Sequence, residues 1–181
     1  MAEKSWAAVL VAANQFEVRE FPVPEIGDDA GLLKVEACGI CGSDQRIRQR
    51  VSEGPKIMGH ENVGRIAKIG KAAAERWGVQ EGDRVCIEEY VVCGSCRWCR
   101  SENFRYCAMT DGGMAGNPAL RYGSTSINVW PSLWGGFSEY VYLHPGAVVH
   151  KVPTHIPAHL MTPFLPLSNG VSLACGYGQV G

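Results

Sequence analysis

The sequence has no long hydrophobic run, and this absence excludes one class of protein. A transmembrane helix needs about 20 consecutive apolar residues, and the stretch WAAVLVAA at residues 6–13 is far shorter. Because FEVREF follows it directly, an amphipathic hairpin explains this stretch better than the core of a signal peptide. We therefore expect no membrane partner and a cytoplasmic location.

An excess of charge of one sign is also missing. Lys and Arg together number 17 and Asp and Glu together number 18, so the formal net charge is -1. A domain that binds nucleic acid usually presents a basic surface, and so does a domain that binds an anionic membrane. The composition therefore gives no reason to expect nucleic acid as a partner.

Helical periodicity is scarce before residue 157, and neither an internal repeat nor a low-complexity linker is apparent. Short alternating or β-branched stretches recur instead, among 22 Gly and 10 Pro that favour turns. They predict a mainly β domain with short helices, one of them over residues 43–50 with Ser43 or Asp44 as its N-cap. The predicted strands lie at 7–13, 16–21, 31–38, 62–70, 83–92, 137–143 and 147–152.

Cysteine, in contrast, is abundant, and half of the eight cysteines crowd into one short stretch with the spacing C-x2-C-x2-C-x7-C. Two-residue spacers let successive thiolates converge on the tetrahedral corners that zinc prefers, about 2.3 Å from the ion. An iron–sulfur cluster is the alternative metal group, whereas reduced cysteines in a surface loop would be reactive. The spacing favours a closed structural zinc site whose ligands are Cys93, Cys96, Cys99 and Cys107.

A second group of candidate ligands lies upstream, in ACGICGSD at residues 37–44 and GHENVG at residues 59–64. Cys41 and His60 each stand at the end of a predicted strand, so a thiolate and an imidazole could meet there. Asp44 and Glu61 stand beside them as carboxylates that could orient the ligands. Taken singly, each of these residues is more often simply packed or hydrogen-bonded.

Five motifs taken in order resemble the zinc-dependent medium-chain alcohol dehydrogenase family. They are CGICGSD, GHENVGRIAKIG, EGDRV, the four-cysteine stretch and GGFSEYV, and together they cover about residues 30 to 152. The resemblance implies a GroES-like, partly open β-barrel with a structural zinc lobe at residues 93–107. It further implies a catalytic domain over residues 1–156 and the start of a connecting helix over residues 157–181.

The same resemblance implies the chemistry of the whole enzyme. A Rossmann domain beyond this sequence would bind NAD or NADP, so we expect the 181 residues to be part of a longer polypeptide. The substrate would be a small-molecule alcohol or carbonyl compound, and the full-length enzyme would be a homo-oligomer.

The resemblance also implies a role for each residue of the second group. Cys41 and His60 would be ligands of a catalytic zinc ion, with Glu61 behind the metal as an alternate ligand. Asp44 would orient the imidazole of His60, and Ser43 would pass the proton of the alcohol outward.

Two departures from the family pattern leave the function open. Leu165 stands where the family has its third zinc ligand, and Arg46 stands where many members carry a histidine of the proton relay. A domain with only the structural zinc is therefore one alternative, and a non-enzymatic, zinc-containing binding module is another. The third ligand could instead be Glu61, His159, Cys175 or a water molecule.

Three further features have no certain role. The aromatic loop at residues 127–137 contains Trp130, Trp134 and Phe137, which either line a substrate pocket or fill the core. Arg121 and Tyr122 remain unassigned. The closing GYGQVG at residues 176–181 fits the glycine pattern of a dinucleotide site, but a helical segment precedes it where that site needs a strand, so we expect the match to be coincidental.

Overall fold

Antiparallel strands dominate the structure, a computed structural model that describes residues 4–49, 54–101, 103–111 and 119–177. One sheet has three strands in the order β2-β1-β4, and the other has five in the order β7-β3-β5-β6-β8. The strands are β1 Lys4–Ala12, β2 Gln15–Pro22, β3 Gly31–Gly39, β4 Lys56–Ile57, β5 Glu61–Ile69, β6 Arg84–Val91, β7 Tyr140–Leu143 and β8 Ala147–Lys151.

The two sheets are joined just before β7. The backbone N–H of Ala8 donates to the carbonyl of Phe137 at 2.8 Å, and that of Glu139 donates to the carbonyl of Trp6 at 3.0 Å. Neither sheet closes on itself, so the architecture is the mainly β fold that the strand patterns predicted and the partly open barrel that the family resemblance implied.

The helices are short, except for the last. They are α1 Gly42–Ile47, α2 Lys71–Trp77, α3 Arg97–Arg100, α4 Ala108–Asp111, α5 Ala158–Met161 and α6 Phe164–Tyr177, with a 3-10 turn at Phe104–Tyr106. No helix in these described ranges is long and apolar enough to cross a membrane.

The helix predicted over residues 43–50 exists, but its predicted cap is wrong. α1 begins at Gly42, and Cys41 occupies the N-cap position. Asp44 lies in the first turn, where its Oδ2 accepts a hydrogen bond from the backbone N–H of Cys41 at 2.8 Å. The carboxylate thus reaches back to the cap position instead of occupying it.

Helix α2 was not predicted from the sequence, although local signals for it exist. Three consecutive alanines occupy its first half, and it ends at Gly78, whose φ of 64° is the left-handed conformation common after helices. The strand pattern on both sides of this segment conceals a helix of only two turns.

The segment after residue 157 is helical, as its periodicity indicates. Pro166 is the third residue of α6, where a proline removes no intrahelical hydrogen bond. Gly176 and Tyr177 end α6, so a helix does precede the closing glycine pattern, whose last four residues lie outside the described part of the chain.

The main core lies on the inner face of the five-stranded sheet. Trp134 is 1% exposed there and packs among residues of β3, β5, β6 and β7. Its indole N–H donates to the carbonyl of Val129 at 2.8 Å, which satisfies the one polar group of the ring. A separate cluster around Val63 and Cys86 packs against Met161 and Phe164 and so joins the barrel to the C-terminal helices.

Candidate metal centres

The four cysteines predicted as zinc ligands converge in a lobe that follows β6, which we call the cysteine lobe (residues 93–107). Cys93 comes shortly after the strand, Cys96 precedes α3, Cys99 lies within α3, and Cys107 follows the 3-10 turn. The four Sγ atoms all lie within 4.8 Å of one another. The fold thus brings together all four donors that the spacing indicated.

Distances within the cysteine lobe match a tetrahedral metal site. The Sγ atoms of Cys96 and Cys99 are 3.6 Å apart, and those of Cys93 and Cys99 are 4.0 Å apart. Ligands about 2.3 Å from a central zinc ion would be separated by about 3.8 Å along each edge of the tetrahedron. The observed distances lie on either side of that value, so the donors fit zinc.

The thiols of the cysteine lobe also differ in pKa, and a bound cation would favour the thiolate form of all four. The backbone N–H of Ser95, with help from that of Cys96, lowers the pKa of Cys93 to about 6. Burial and the neighbouring Cys96 raise the pKa of Cys99 to about 12. Four adjacent thiolates repel one another, and a bound cation removes that repulsion.

A second group of donors, Cys41, His60 and Glu61, forms where β3 ends and β5 begins, and we call it the mixed centre. Cys41 lies just after β3, and His60 and Glu61 stand at the start of β5. One donor atom of each residue lies within 4.8 Å of the others. The mixed centre therefore contains both ligands that the resemblance implied, together with the alternate one.

Asp44 lies behind His60. Its Oδ1 is 3.5 Å from Nδ1 of the imidazole, and the residue is only 2% exposed. Burial disfavours the charged form of the ring, but the Asp44 carboxylate outweighs it and raises the pKa of His60 to about 9. Because Nδ1 faces the carboxylate, Nε2 is the nitrogen left for a metal.

Ser43 acts on the Cys41 thiol, and Gly39 leaves space for the Glu61 carboxylate. The hydroxyl and the backbone N–H of Ser43 lower the pKa of the Cys41 thiol from its ordinary value. Gly39 pairs with Glu61 across the sheet, and a Cβ at residue 39 would overlap the Glu61 carboxylate. The mixed centre therefore combines an acidified thiol, an oriented imidazole and a carboxylate with room for its side chain, a set that suits zinc.

The mixed centre opens into a cavity of about 260 Å³. Ser43 and Ile47 of α1 line it on one side, and Leu165 and Pro166 of α6 line it on another. Leu165 is 5% exposed and offers no donor atom, so Glu61 is the third donor that the described residues bring to this place. Arg46 is exposed on α1 and is not among the residues of the cavity wall.

Two charged residues of the cavity wall were not assigned from the sequence. Glu89 belongs to β6 and Arg121 to the loop beside it, and their side chains form an ion pair. The residues around Glu89 show only the pattern of a strand, and Arg121 lies in an irregular loop. A pair of opposite charges on a strand and a distant loop leaves no local pattern to find.

The aromatic loop does not line this cavity. Trp134 fills the core, Trp130 is 70% exposed, and Phe137 packs in a core cluster with residues of β1 and β4. Core packing is therefore confirmed for Trp134. Trp130 and Trp134 also border a separate cavity of about 190 Å³, where the substrate wall stays a prediction. Tyr122 is buried too, and its hydroxyl accepts a hydrogen bond from the backbone N–H of His144 at 3.0 Å.

Comparison with known proteins adds to this geometry. Residues 27–154 match the family model of the alcohol dehydrogenase GroES-like domain. A probable alcohol dehydrogenase of Mycobacterium tuberculosis strain H37Rv is 40% identical over 167 residues, which make up 91% of this chain and 44% of that protein. The chain thus spans less than half the length of this relative.

Solved structures give the same result. An alcohol dehydrogenase from Thermotoga maritima is 26% identical, with a TM-score of 0.70 over 88% of this chain and 44% of its own. A zinc-binding dehydrogenase from Sinorhizobium meliloti, solved with NADP bound, is 27% identical, with a TM-score of 0.70 over 94% of this chain and 46% of its own.

Proposed function

The chain belongs to the alcohol dehydrogenase GroES-like domain family, and we propose that it is the catalytic domain of a zinc-dependent, NAD(P)-linked dehydrogenase. The reaction would interconvert an alcohol and a carbonyl compound by hydride transfer. The observation that supports this proposal most strongly is the convergence of Cys41, His60 and Glu61 at the edge of a cavity.

The two centres would have different tasks. The cysteine lobe would hold a structural zinc ion with four thiolates and leave no position for a substrate. Cys41, His60 and Glu61 would hold the catalytic ion, which when bound supplies a Lewis acid that polarises the substrate oxygen. NAD or NADP would be held by a Rossmann domain outside this chain, and no residue of this chain is assigned to it.

The residues around the mixed centre support this chemistry in specific ways. Asp44 keeps the imidazole of His60 in one orientation and makes it a stronger base. The Ser43 hydroxyl lies in the cavity wall beside Cys41, where its Oγ can take up the proton that an alcohol releases and pass it outward. Leu165 and Pro166 contribute an apolar surface that limits water at the reacting carbon.

A second candidate function is favoured by Leu165. Its side chain cannot ligate a metal, so a domain with zinc only in the cysteine lobe would have the same fold and the same cavity. The ligand set decides between the two functions, because catalytic zinc sites as a rule have three protein ligands.

Zinc content per chain tests the proposal directly. Elemental analysis of the purified chain should give two zinc ions, and Cys41→Ala should reduce the number to one. Cys38→Ala is the matched control, because Cys38 belongs to neither centre and burial raises the pKa of its thiol to about 12. A single zinc ion in the unaltered chain that persists in Cys41→Ala would favour the second candidate.

The isolated 181-residue chain should not oxidise alcohols when NAD or NADP is added. The reason is that the proposed nucleotide site lies in another domain. Nicotinamide absorbance recorded with a panel of alcohols would check this expectation, and reduction of the nucleotide by the purified chain would contradict it.

A further inference from the structure

The cavity beside the mixed centre has an ionic wall in addition to its metal donors. Nε of Arg121 donates to Oε2 of Glu89 at 3.1 Å, and Nη2 donates to Oε1 at 3.0 Å. The side chains of Glu89 and Arg121 are 19% and 33% exposed, and both line the cavity together with Ser124. Glu89 also contributes to the raised pKa of His60, so it lies within electrostatic reach of the mixed centre.

Backbone contacts also hold the loop that carries Arg121 against β6. The backbone N–H of Tyr122 donates to the carbonyl of Glu89 at 2.9 Å, and Tyr90 and Arg121 form a β-bridge. Thr125 closes the turn after Arg121, where its hydroxyl accepts a hydrogen bond from the backbone N–H of Arg121 at 2.8 Å. The backbone therefore anchors the loop to β6 in addition to the contact of the Arg121 guanidinium with the Tyr90 ring at 4.8 Å. The ion pair also places two opposite charges in the wall of the cavity, where a ligand can contact them.

We propose that the Glu89–Arg121 pair determines substrate specificity and selects neutral substrates with several hydroxyl groups over simple aliphatic alcohols. The inference rests on the proposed function, since it concerns the substrate of the same cavity. One hydroxyl of the substrate would lie at the mixed centre, and a second, further along the carbon chain, would donate to the carboxylate of Glu89.

The chemistry of the pair favours a neutral ligand. A carboxylate has about four lone-pair positions. Arg121 occupies one on each oxygen of Glu89, and the Tyr90 hydroxyl hydrogen-bonds to the same carboxylate, which leaves one position for a hydroxyl group of the ligand. The charges of the pair cancel each other, so the pair itself offers an anionic group of the substrate no net attraction. An aliphatic chain at the same place would remove water from the ion pair without replacing those hydrogen bonds.

Two ligands with the same number of carbon atoms test the proposal. Butane-1,2,3,4-tetrol and butan-1-ol would be titrated into the purified zinc-loaded chain, and saturation-transfer NMR would measure the dissociation constant of each. We expect the tetrol to bind about tenfold more tightly, since hydrogen bonds to a charged group are among the stronger ones. The method detects binding whether or not a metal ion is present, and variants of the cavity wall locate it.

Variants identify the source of the preference. Glu89→Leu combined with Arg121→Met removes both charges and should reduce the preference to about twofold or less. Glu89→Gln, which keeps the size of the side chain, should reduce it by about threefold and guards against misfolding of the double variant. The matched control is Glu17→Leu with Arg19→Met, because that pair lies exposed on β2 and away from the cavity.

The outcomes separate this inference from the proposed function. A tetrol preference that both cavity variants weaken and the control keeps would support the inference. Equal dissociation constants, no binding of either ligand, or a preference that survives in both cavity variants would overturn it. If the unaltered chain binds only one zinc ion and the tetrol preference persists in Cys41→Ala, the result would support the inference and contradict the catalytic zinc.

Discussion

The cysteine lobe and the mixed centre differ in where their donors lie along the chain. The lobe takes four identical donors from residues 93–107, a stretch of turns and very short helices. The mixed centre takes three different donors from the ends of two strands, β3 and β5, which the long excursion through α1 and β4 separates. One site is local and the other depends on how the sheet assembles.

The two sites are accordingly specified by different means. In the lobe, chain curvature and backbone N–H groups bring the thiols together, and a bound metal ion would complete the structure. In the mixed centre, the pairing of Gly39 with Glu61 fixes which side chains face one another, and a shift of one residue in that register would turn them to the opposite face. Metal binding should therefore stabilise the lobe strongly and the mixed centre weakly.

The largest expected effect comes from removal of a lobe ligand. Cys99→Ser should lose one zinc ion and destabilise the chain by on the order of 3 kcal/mol, because three thiolates would remain without a full ligand set. For a chain of this size the melting temperature should fall by about 6–12 °C. Calorimetry together with zinc analysis measures both.

Cys41→Ala is the matched change in the mixed centre. It should also lose one zinc ion, but the melting temperature should fall by about 3 °C or less, since β3 and β5 remain paired along their length. If both variants lowered the melting temperature equally, the distinction between a local, metal-dependent lobe and a sheet-dependent centre would be wrong.

The second prediction concerns Asp44, which has no counterpart in the lobe. Asp44→Asn should weaken metal binding at the mixed centre by about 10- to 100-fold, as loss of a group that orients a metal-bound histidine commonly does. It should leave the zinc of the lobe in place. Absorbance of the cobalt-substituted chain, titrated in competition with a chelator, would give both affinities.

The same variant should change the pH dependence of metal binding. Asp44 raises the pKa of His60 to about 9, so below that pH the ring of the metal-free chain carries a proton that the metal must displace. Affinity should accordingly increase with pH up to about 9 and then level off. In Asp44→Asn the pKa should fall and the levelling should begin at lower pH, and an unchanged profile would contradict the assigned role.

The sequence predicted those parts of the molecule that have local signatures. Strand signals identified seven of the eight strands in the described residues and missed the two-residue β4, while spacing identified the cysteine lobe. Resemblance to a family supplied Cys41, His60 and Glu61, which the structure brings together. The Glu89–Arg121 pair was not predicted, because it depends on a contact between distant segments. Helix α2 was not predicted either, because it has only two turns and lies between strong strand signals.

The third prediction converts the mixed centre into a site with four protein donors. Leu165 lies in the wall of the same cavity, so Leu165→Glu adds a carboxylate where the centre has an apolar side chain. Metal affinity should increase about tenfold, or about 1.4 kcal/mol, while the metal-free chain should lose about 1–3 kcal/mol from burial of a polar group. Leu165→Met, a change of similar volume, is the control.

Cobalt titration and thermal unfolding in the presence and absence of metal would measure the two effects of Leu165→Glu. Unchanged cobalt affinity would show that residue 165 is too far from the donors to act as a ligand. The difference between this family member and those with a third zinc ligand would then lie in the path of α6 as well as in the side chain.

The smallest expected effect concerns a contact that belongs to the cysteine lobe alone. The guanidinium of Arg97 lies 4.4 Å from the centre of the Trp98 ring, and Trp98 in turn packs against Tyr106. Arg97→Met keeps the length of the side chain but removes the cation, so the lobe should lose about 0.5–1 kcal/mol, and the melting temperature should fall by about 1–4 °C. Arg97→Lys should retain part of that stability, since it keeps the charge.

Cobalt affinity at the mixed centre should stay the same in both variants, because the two sites are specified independently. A change in that affinity would show that the lobe and the mixed centre are coupled.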